Sequence, residues 1–383
     1  LKTLSSAVSQ RYTELISSAG RVAQFALEEA AQTDDVNTFP EKTLELLLAE
    51  GFLRAAAPAQ FGGLDLGLRP GSNRTMLQVL KLIGSGNLVM GRVLEGHLNA
   101  QLLIDEYGTQ EQKERFAVCA AKGELFGVWN TQAADGTELD VLKNGTLLLS
   151  GSKIFATGCN YVSRPLVTAA LPDGSRQMCL VPLSAAKITI DKSWWQPMGM
   201  KSSRSFKITF EDLLLQPDDL LGKPESYYRQ PSFSGGAIRF AAVQLGGAER
   251  LLTETIRYLQ ELNRTEDPYQ KARIGEMSIA VTSGNQWLEQ AARQLDQYQL
   301  NPSQAQCDEL LLAFANMMRT AIEQICTQVM NLCQKCVGAR GLNKPYHFER
   351  IIRDLSTYLR QPAPDASLAD VGAFFLNKNK VNF

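Results

Sequence analysis

Two changes of periodicity along the chain limit what it can fold into. Up to about residue 125, apolar residues recur at helical spacing through Leu15–Ala31, Leu44–Leu53 and Gln101–Ala121, with Gly51 and Gly108 as stops. Thr109-Gln-Glu-Gln112 has the form of a capping box, with Thr109 as cap and Gln112 as its reciprocal partner. From Phe126 to about Gly222 the runs are short and β-rich: Leu147–Leu149, Leu166–Ala169, Met178–Pro182, Ile188–Ile190 and Phe206–Phe210. Asn144-Gly145 and Asp173-Gly174 punctuate them as hairpin turns. Helical periodicity then returns over Ala237–Leu262, Tyr269–Tyr298 and Ser303–Gly338. Pro362-Ala-Pro364 breaks the chain before a last short helix at Ser367–Asn377. Long helices poor in Gly and Pro suit an antiparallel bundle. The expected class is α+β multidomain: helices over 1–125, an all-β region over 126–225, and a helical bundle over 232–383.

Composition narrows the functions open to such a chain. Its 383 residues leave room for a sizeable core and two or three domains. Lys+Arg 39 against Asp+Glu 40 gives a net charge of −1, which argues against a protein built to hold nucleic acid or an anionic membrane surface. The longest run without a charged side chain, Met277–Leu288, is too short to cross a bilayer. Seven cysteines, an odd number set mostly in apolar stretches (Cys119, Cys179, Cys326), fit reduced thiols in a cytoplasmic protein better than a disulfide framework. Cys333-Gln-Lys-Cys336 has CxxC spacing, but with no second pair it reads as helix packing, and no metal site is expected.

Several strings fall in a fixed order along this α–β–α frame. They are Phe39-Pro40, Gly51-Phe52, Phe61-Gly62-Gly63, Tyr107-Gly108-Thr109-Gln110-Glu111-Gln112, Gly151-Ser152-Lys153-Ile154-Phe155-Ala156-Thr157-Gly158, Met198-Gly199-Met200-Lys201, Phe210-Glu211-Asp212, Gly338-Ala-Arg-Gly341 and Arg353-Asp354. Together they resemble the acyl-CoA dehydrogenase superfamily of flavoproteins over essentially the whole chain. The resemblance implies a middle β-barrel, a C-terminal four-helix bundle, and FAD held in a homodimer or homotetramer between one subunit's barrel and its neighbour's bundle. An isoalloxazine ring needs an apolar sandwich and a few hydrogen bonds at its pyrimidine edge. The family offers these where this chain has Val128-Trp129-Asn130-Thr131, so Asn130 and Thr131 are cofactor candidates. Phe155 replaces the family's Trp against the ring, with Thr157 at the same spacing; a barrel-core Phe is the alternative. Thr137 keeps a hydroxyl in a loop, Ala133-Ala-Asp135-Gly136-Thr137, that has lost a Pro and a Gly. Arg264 stands where a family Arg reaches the pyrophosphate, or is a surface Arg. Gly338 and Gly341 suit close approach of backbone to a dinucleotide, or the end of a long helix.

The family's catalytic Glu is missing. Eight residues past Asp354 stands Pro362, and the alternative position on the first bundle helix is Gly236. The remaining candidates for a base are Asp365, also readable as a helix cap, and His347. Three functions stay open. One is an FAD-dependent oxidoreductase acting on an acyl-CoA with a relocated base. The second is a flavin monooxygenase on the same fold, which needs no such base and works with a flavin reductase. The third is a non-catalytic small-molecule-binding scaffold. Trp194-Trp195 and Tyr227-Tyr228 line a pocket or pack at edges, and Arg353-Asp354 is expected to be an ion pair holding the bundle end.

Overall fold

A computed structural model describes residues 6–302, 304–360 and 363–378; Pro362 lies outside them. The N-terminal region holds α1 (Ser6–Val36), α2 (Glu41–Ala49), α3 (Asn73–Gly86), α4 (Leu88–Tyr107) and α5 (Gln110–Ala121). The strands follow: β1 (Phe126–Trp129), β2 (Glu138–Val141), β3 (Leu147–Ala156), β4 (Arg164–Ala170), β5 (Arg176–Leu180), β6 (Ile188–Asp191), β7 (Phe206–Leu215) and β8 (Leu220–Leu221). Beyond them lie α6 (Ser232–Gly235), α7 (Ala237–Glu261), α8 (Pro268–Leu300), α9 (Ala305–Gly341), α10 (Phe348–Tyr358) and α11 (Pro364–Leu376).

The capping box forms as its spacing predicts. Thr109 Oγ1 accepts from the Gln112 N–H, and Gln112 Oε1 accepts from the Thr109 N–H. The Gln112 amide then donates to the carbonyls of Asp218 and Leu220, so a local cap also fastens the sheet to the helical domain. Gly51 stops α2 in the left-handed region at φ +81°, and the chain re-enters a short turn over Phe52–Arg54. Asn144-Gly145 joins β2 to β3, and Asp173-Gly174 joins β4 to β5.

The strands make a single sheet in the order β6-β7-β3-β2-β4-β5-β8, with β1 parallel to β4. In one respect it differs from the expected barrel. Edges β6 and β8 do not pair among the described residues, so the sheet is open. One stacked helix covers it directly. α4 lies on β1 at Gly96, where an added Cβ would come within about 4 Å of Val128 N and Gly127 Cα.

The bundle is built on α7, α8 and α9, with α10 against α7 and α9. α3 crosses α7 backbone to backbone. A Cβ on Gly84 would sit 2.4 Å from the Val243 carbonyl oxygen, and one on Gly246 would sit 2.0 Å from that of Lys81. Arg353 and Asp354 do not pair with each other. Arg353 binds Asp34 of α1 and Glu349, while Asp354 accepts the Met200 N–H. Gly199 is required beside them, because its Cβ would lie 2.0 Å from the Arg353 carbonyl oxygen. The Met198–Lys201 and Arg353-Asp354 strings are thus two halves of one joint between sheet, bundle and α1.

All seven cysteines are free thiols. Cys333 and Cys336 are buried on α9, and Thr255 Oγ1 donates to Cys333 Sγ at 3.3 Å. Burial pushes the Cys333 thiol up to about 12, as befits a packing residue. Among the described residues no cluster of His, Cys, Asp or Glu could hold a metal ion, and no helix is long and apolar enough to cross a membrane.

Candidate active site

The end of β1 and the end of β3 lie side by side. The Ile154 N–H donates to the Thr131 carbonyl at 3.2 Å, and Trp129 Nε1 donates to the Thr157 carbonyl at 3.0 Å. This brings Asn130, Thr131, Phe155 and Thr157 together, as their motifs imply. Phe155 is not a core residue. It is 47 % exposed, sits in a register irregularity between Lys153 and Ala156, and has φ +55°. A bulky residue in the left-handed region is a conformational outlier costing on the order of 1–3 kcal/mol. Its ring meets Trp194 edge-on at 4.8 Å and Trp195 at 5.8 Å between centroids. The two indoles are stacked with each other. Trp194-Trp195 therefore extends an apolar platform that begins at Phe155, with Thr131 exposed beside it just past the end of β1.

Behind Asn130 lies a buried polar core. Lys153 is fully buried, and its Nζ donates to the Asn130 carbonyl at 3.0 Å and to Thr168 Oγ1 at 3.1 Å. Thr168 Oγ1 passes a hydrogen bond to Asn130 Oδ1 at 2.7 Å, and the Tyr228 hydroxyl donates to the same oxygen at 2.9 Å. Both the backbone and the amide of Asn130 are thus fixed from behind. Burial drops the Lys153 ammonium to about 7. Thr137 belongs to this inner layer. It is 1 % exposed and donates its hydroxyl to the Thr168 carbonyl, so it holds the Ala133–Thr137 loop.

On the other side of Tyr228 the wall is helical. Arg92 and Glu95 of α4 form a largely buried ion pair. Arg239 of α7 is 7 % exposed and donates from Nη2 to Asn99 Oδ1 at 2.6 Å. Tyr227 and Tyr228 stack edge-on with one another, and both meet Phe233. The Tyr358 hydroxyl is buried beside Arg92 and Glu95 without a hydrogen-bond partner. Of these residues the sequence singled out only Tyr227 and Tyr228, as pocket lining or edge packing, although Arg92 and Glu95 three apart in an otherwise apolar run are the mark of a buried pair.

The remaining candidates lie elsewhere. Gly338 breaks α9 at φ +60°, ψ −170°, a conformation essentially reserved for glycine, and nothing stands within 4 Å of where its Cβ would be. Gly341 follows against Val337, where a Cβ would lie 2.4 Å from that side chain. Arg264 is exposed between α7 and α8. Among the described residues no hydrogen bond or ion pair links this end of the bundle to the Asn130–Phe155 group.

The family models now decide the lineage. The model for the acyl-CoA dehydrogenase N-terminal domain matches residues 10–124, and that for the C-terminal domain matches residues 238–360. The chain belongs to the acyl-CoA dehydrogenase superfamily. Within it, a dibenzothiophene monooxygenase of Mycolicibacterium goodii is 25 % identical over 369 residues, covering 87 % of this chain and 86 % of its own. A short-chain specific acyl-CoA dehydrogenase of Clostridium acetobutylicum is 26 % identical over 357 residues, covering 87 % and 90 %. Among solved structures, FMN-bound TdsC from Paenibacillus sp. A11-2 shares the fold with a TM-score of 0.87 at 20 % identity, over 95 % of this chain and 97 % of that one.

Neither substitute for the superfamily's missing Glu joins the Asn130–Phe155 group. Asp365 is exposed in the first turn of α11, on a groove shared with Glu276 of α8 and Glu323 of α9. His347 is half-buried at the head of α10, where burial and the neighbouring Arg350 hold its imidazole below the usual range. Gly236 faces Arg239, with the site of its absent Cβ 3.1 Å from Nη2.

Proposed function

We propose that this protein is a flavin-dependent monooxygenase that oxidises a sulfur, nitrogen or aromatic carbon atom of a small molecule. The observation that carries this reading is that, among the described residues, no free carboxylate stands at the site. Removing an α-proton requires a base within about 3 Å of it. Gly236 has no side chain, Glu95 is engaged by Arg92, and Asp365 and His347 keep other company. The name carried by the Mycolicibacterium relative supports the same reading.

The residues present suit a flavin. Phe155 is held in a strained conformation that keeps its ring outward, and Trp194 and Trp195 widen it into a face on which a planar ring can lie. Thr131 and Thr157 supply hydroxyls and backbone groups to the ring's polar edge, and Lys153 and Tyr228 fix the strand end that carries them. A bound reduced flavin supplies the two electrons with which O₂ gives one oxygen atom to substrate and one to water. A separate reductase would deliver it. The separation of Arg264, Gly338 and Gly341 from the ring-binding residues supports a homodimer or larger assembly in which the partner's bundle end completes an FAD site. FMN would need only the sheet residues.

The test runs the flavin-loaded protein in two ways. Anaerobic titration with a panel of acyl-CoAs is expected to leave the oxidised flavin spectrum unchanged. Reduced flavin from a reductase, O₂ and a heteroaromatic probe such as dibenzothiophene or indole should yield product with one added oxygen atom. Bleaching by any acyl-CoA would overturn the reading in favour of the second one, an acyl-CoA dehydrogenase with a relocated base, which the Clostridium relative supports. Failure to take up any flavin would leave a non-catalytic binding scaffold.

A further inference from the structure

Next to the site lies a cavity of about 350 Å³ between α3, α4, α7, α8 and the start of α9, lined by Asn73, Asn99, Gly235, Arg239, Tyr298 and Leu311 among others. Its size is that of a small-molecule site. Arg239 is its one deeply buried cation. The residue is 7 % exposed, its Nη2 donates to the neutral Asn99 amide, and its Nε has no hydrogen-bond partner among the described residues. No carboxylate among the described residues forms an ion pair with it.

Asp105 and Glu106 line the same cavity and Glu95 and Glu106 act on Arg239, but each of these carboxylates is held by another group. Glu95 is taken by Arg92, and Asp105 by Arg69 and Lys113. Glu106 is exposed and accepts from Ser232 Oγ at 2.8 Å. Arg92 thus has a buried carboxylate of its own and Arg239 has none bonded to it among the described residues. Burying an uncompensated charge is costly, and a ligand that supplies the counter-charge offsets that cost. The chain also leaves room for it. Gly236 withholds the side chain that would touch Nη2, and nothing stands within 4 Å of a Cβ on Gly235.

We infer that this cavity takes the anionic end of the substrate, a carboxylate or a sulfur oxyanion, against the Arg239 guanidinium. The inference deepens the monooxygenase reading and rests on it for the word substrate. Tyr227 and Tyr228 pack on Phe233, next in sequence to the cavity-lining Ser232, and Tyr228 is bonded to Asn130, so this aromatic partition joins the cavity wall to the Asn130–Phe155 platform and the oxidisable end of the molecule would lie on the platform side.

The experiment is equilibrium binding by calorimetry on the full chain, with benzoate, benzenesulfonate and the neutral benzamide as probes. At least one anion should bind tenfold or more tightly than benzamide, and which of the two does so identifies the oxyanion. Arg239→Met should abolish the preference. Gly236→Glu should abolish it as well, by placing a carboxylate beside Nη2. Position 236 has helical φ −54°, ψ −25°, and a Cβ there needs the Phe233 carbonyl oxygen, 3.2 Å away, to yield by only a few tenths of an ångström, so this variant stands should Arg239→Met not fold. Equal binding of all three probes, no binding by any, or an anion preference that survives Gly236→Glu would overturn the inference. Flavin uptake, followed separately by fluorescence quenching, tests the monooxygenase reading and does not depend on these results.

Discussion

Lys153 Nζ donates to the Asn130 carbonyl at 3.0 Å from a fully buried position, with no carboxylate paired to it among the described residues. A cation placed so holds the strand end that the cofactor would touch, and its burial makes that support sensitive to pH. Its folded value of about 7 lies far below the roughly 10.4 of a free lysine. Between these values the unfolded chain binds more protons than the folded one, so stability rises with pH across the window. Below about pH 7 the full cost of burial is present. Lys153→Met lacks this slope. Urea midpoints should favour the variant most at pH 6.5, with its advantage shrinking by pH 9.5. A difference that stays flat across this range would refute the assignment.

His97 works in the opposite chemical sense but with the same sign. Its Nδ1 accepts the Phe126 N–H at 2.9 Å while Nε2 lies 2.6 Å from the Leu53 carbonyl, so the neutral ring joins α4, β1 and the turn after α2. Burial lowers it to about 4. The stability it contributes is fully present above about pH 6.5 and is lost as pH falls toward 4. His97→Gln should be less stable at pH 7.5, and the gap to wild type should narrow between pH 6 and pH 4 in the same denaturation assay.

Phe155 combines strain with exposure, a pairing that serves ligand contact better than stability. Phe155→Gly relieves the left-handed backbone and removes the edge-on ring contacts, each worth about 0.5–1.5 kcal/mol. The melting temperature should therefore move little. Flavin affinity should fall about tenfold, or ~1.4 kcal/mol. A large loss of stability with unchanged flavin binding would make Phe155 structural.

Arg264 offers a test between the two flavins. Arg264→Ala should weaken FAD binding about tenfold and leave FMN binding unchanged, since only FAD carries a second phosphate and an adenosine to reach the bundle end. Equal effects on both, measured by fluorescence quenching, would remove Arg264 from the cofactor site.

Asp365→Asn and His347→Gln should each leave oxygenation turnover within about twofold of wild type under saturating reduced flavin. A drop of a hundredfold in either would restore that residue as an acid or base.

The order of helices, strands and helices was legible because each region keeps one period for long enough to be read. α3 and most of α4 escaped that reading. Leu88, Val89, Met90, Gly91, Val93 and Leu94 are all buried, so α4 shows little polar face to mark its turn. Asn130, Thr131, Phe155 and Thr157 were legible through a string of residues on one strand and its neighbour. Tyr227-Tyr228 was legible as a pair that lines a pocket or packs at an edge, but its meeting with Phe233, and the Arg92, Glu95 and Arg239 charges, were not. They come from three separate segments, and only the packing of α4 and α7 across the connector brings them to one place. The openness of the sheet was hidden for a similar reason, since strand signals report pairing partners but not whether the outermost two meet.

The contact of Gly84 with Val243 and of Gly246 with Lys81 bears on how this protein changes its ligand. Helices locked at their main chains cannot rock against each other, so α3 and α7 behave as a rigid mould rather than as jaws. Selectivity in such a mould resides in the shape of individual side chains. A lineage built on it would acquire a new compound by exchanging residues on the partition or beside Arg239, one at a time, while the frame stays as it is.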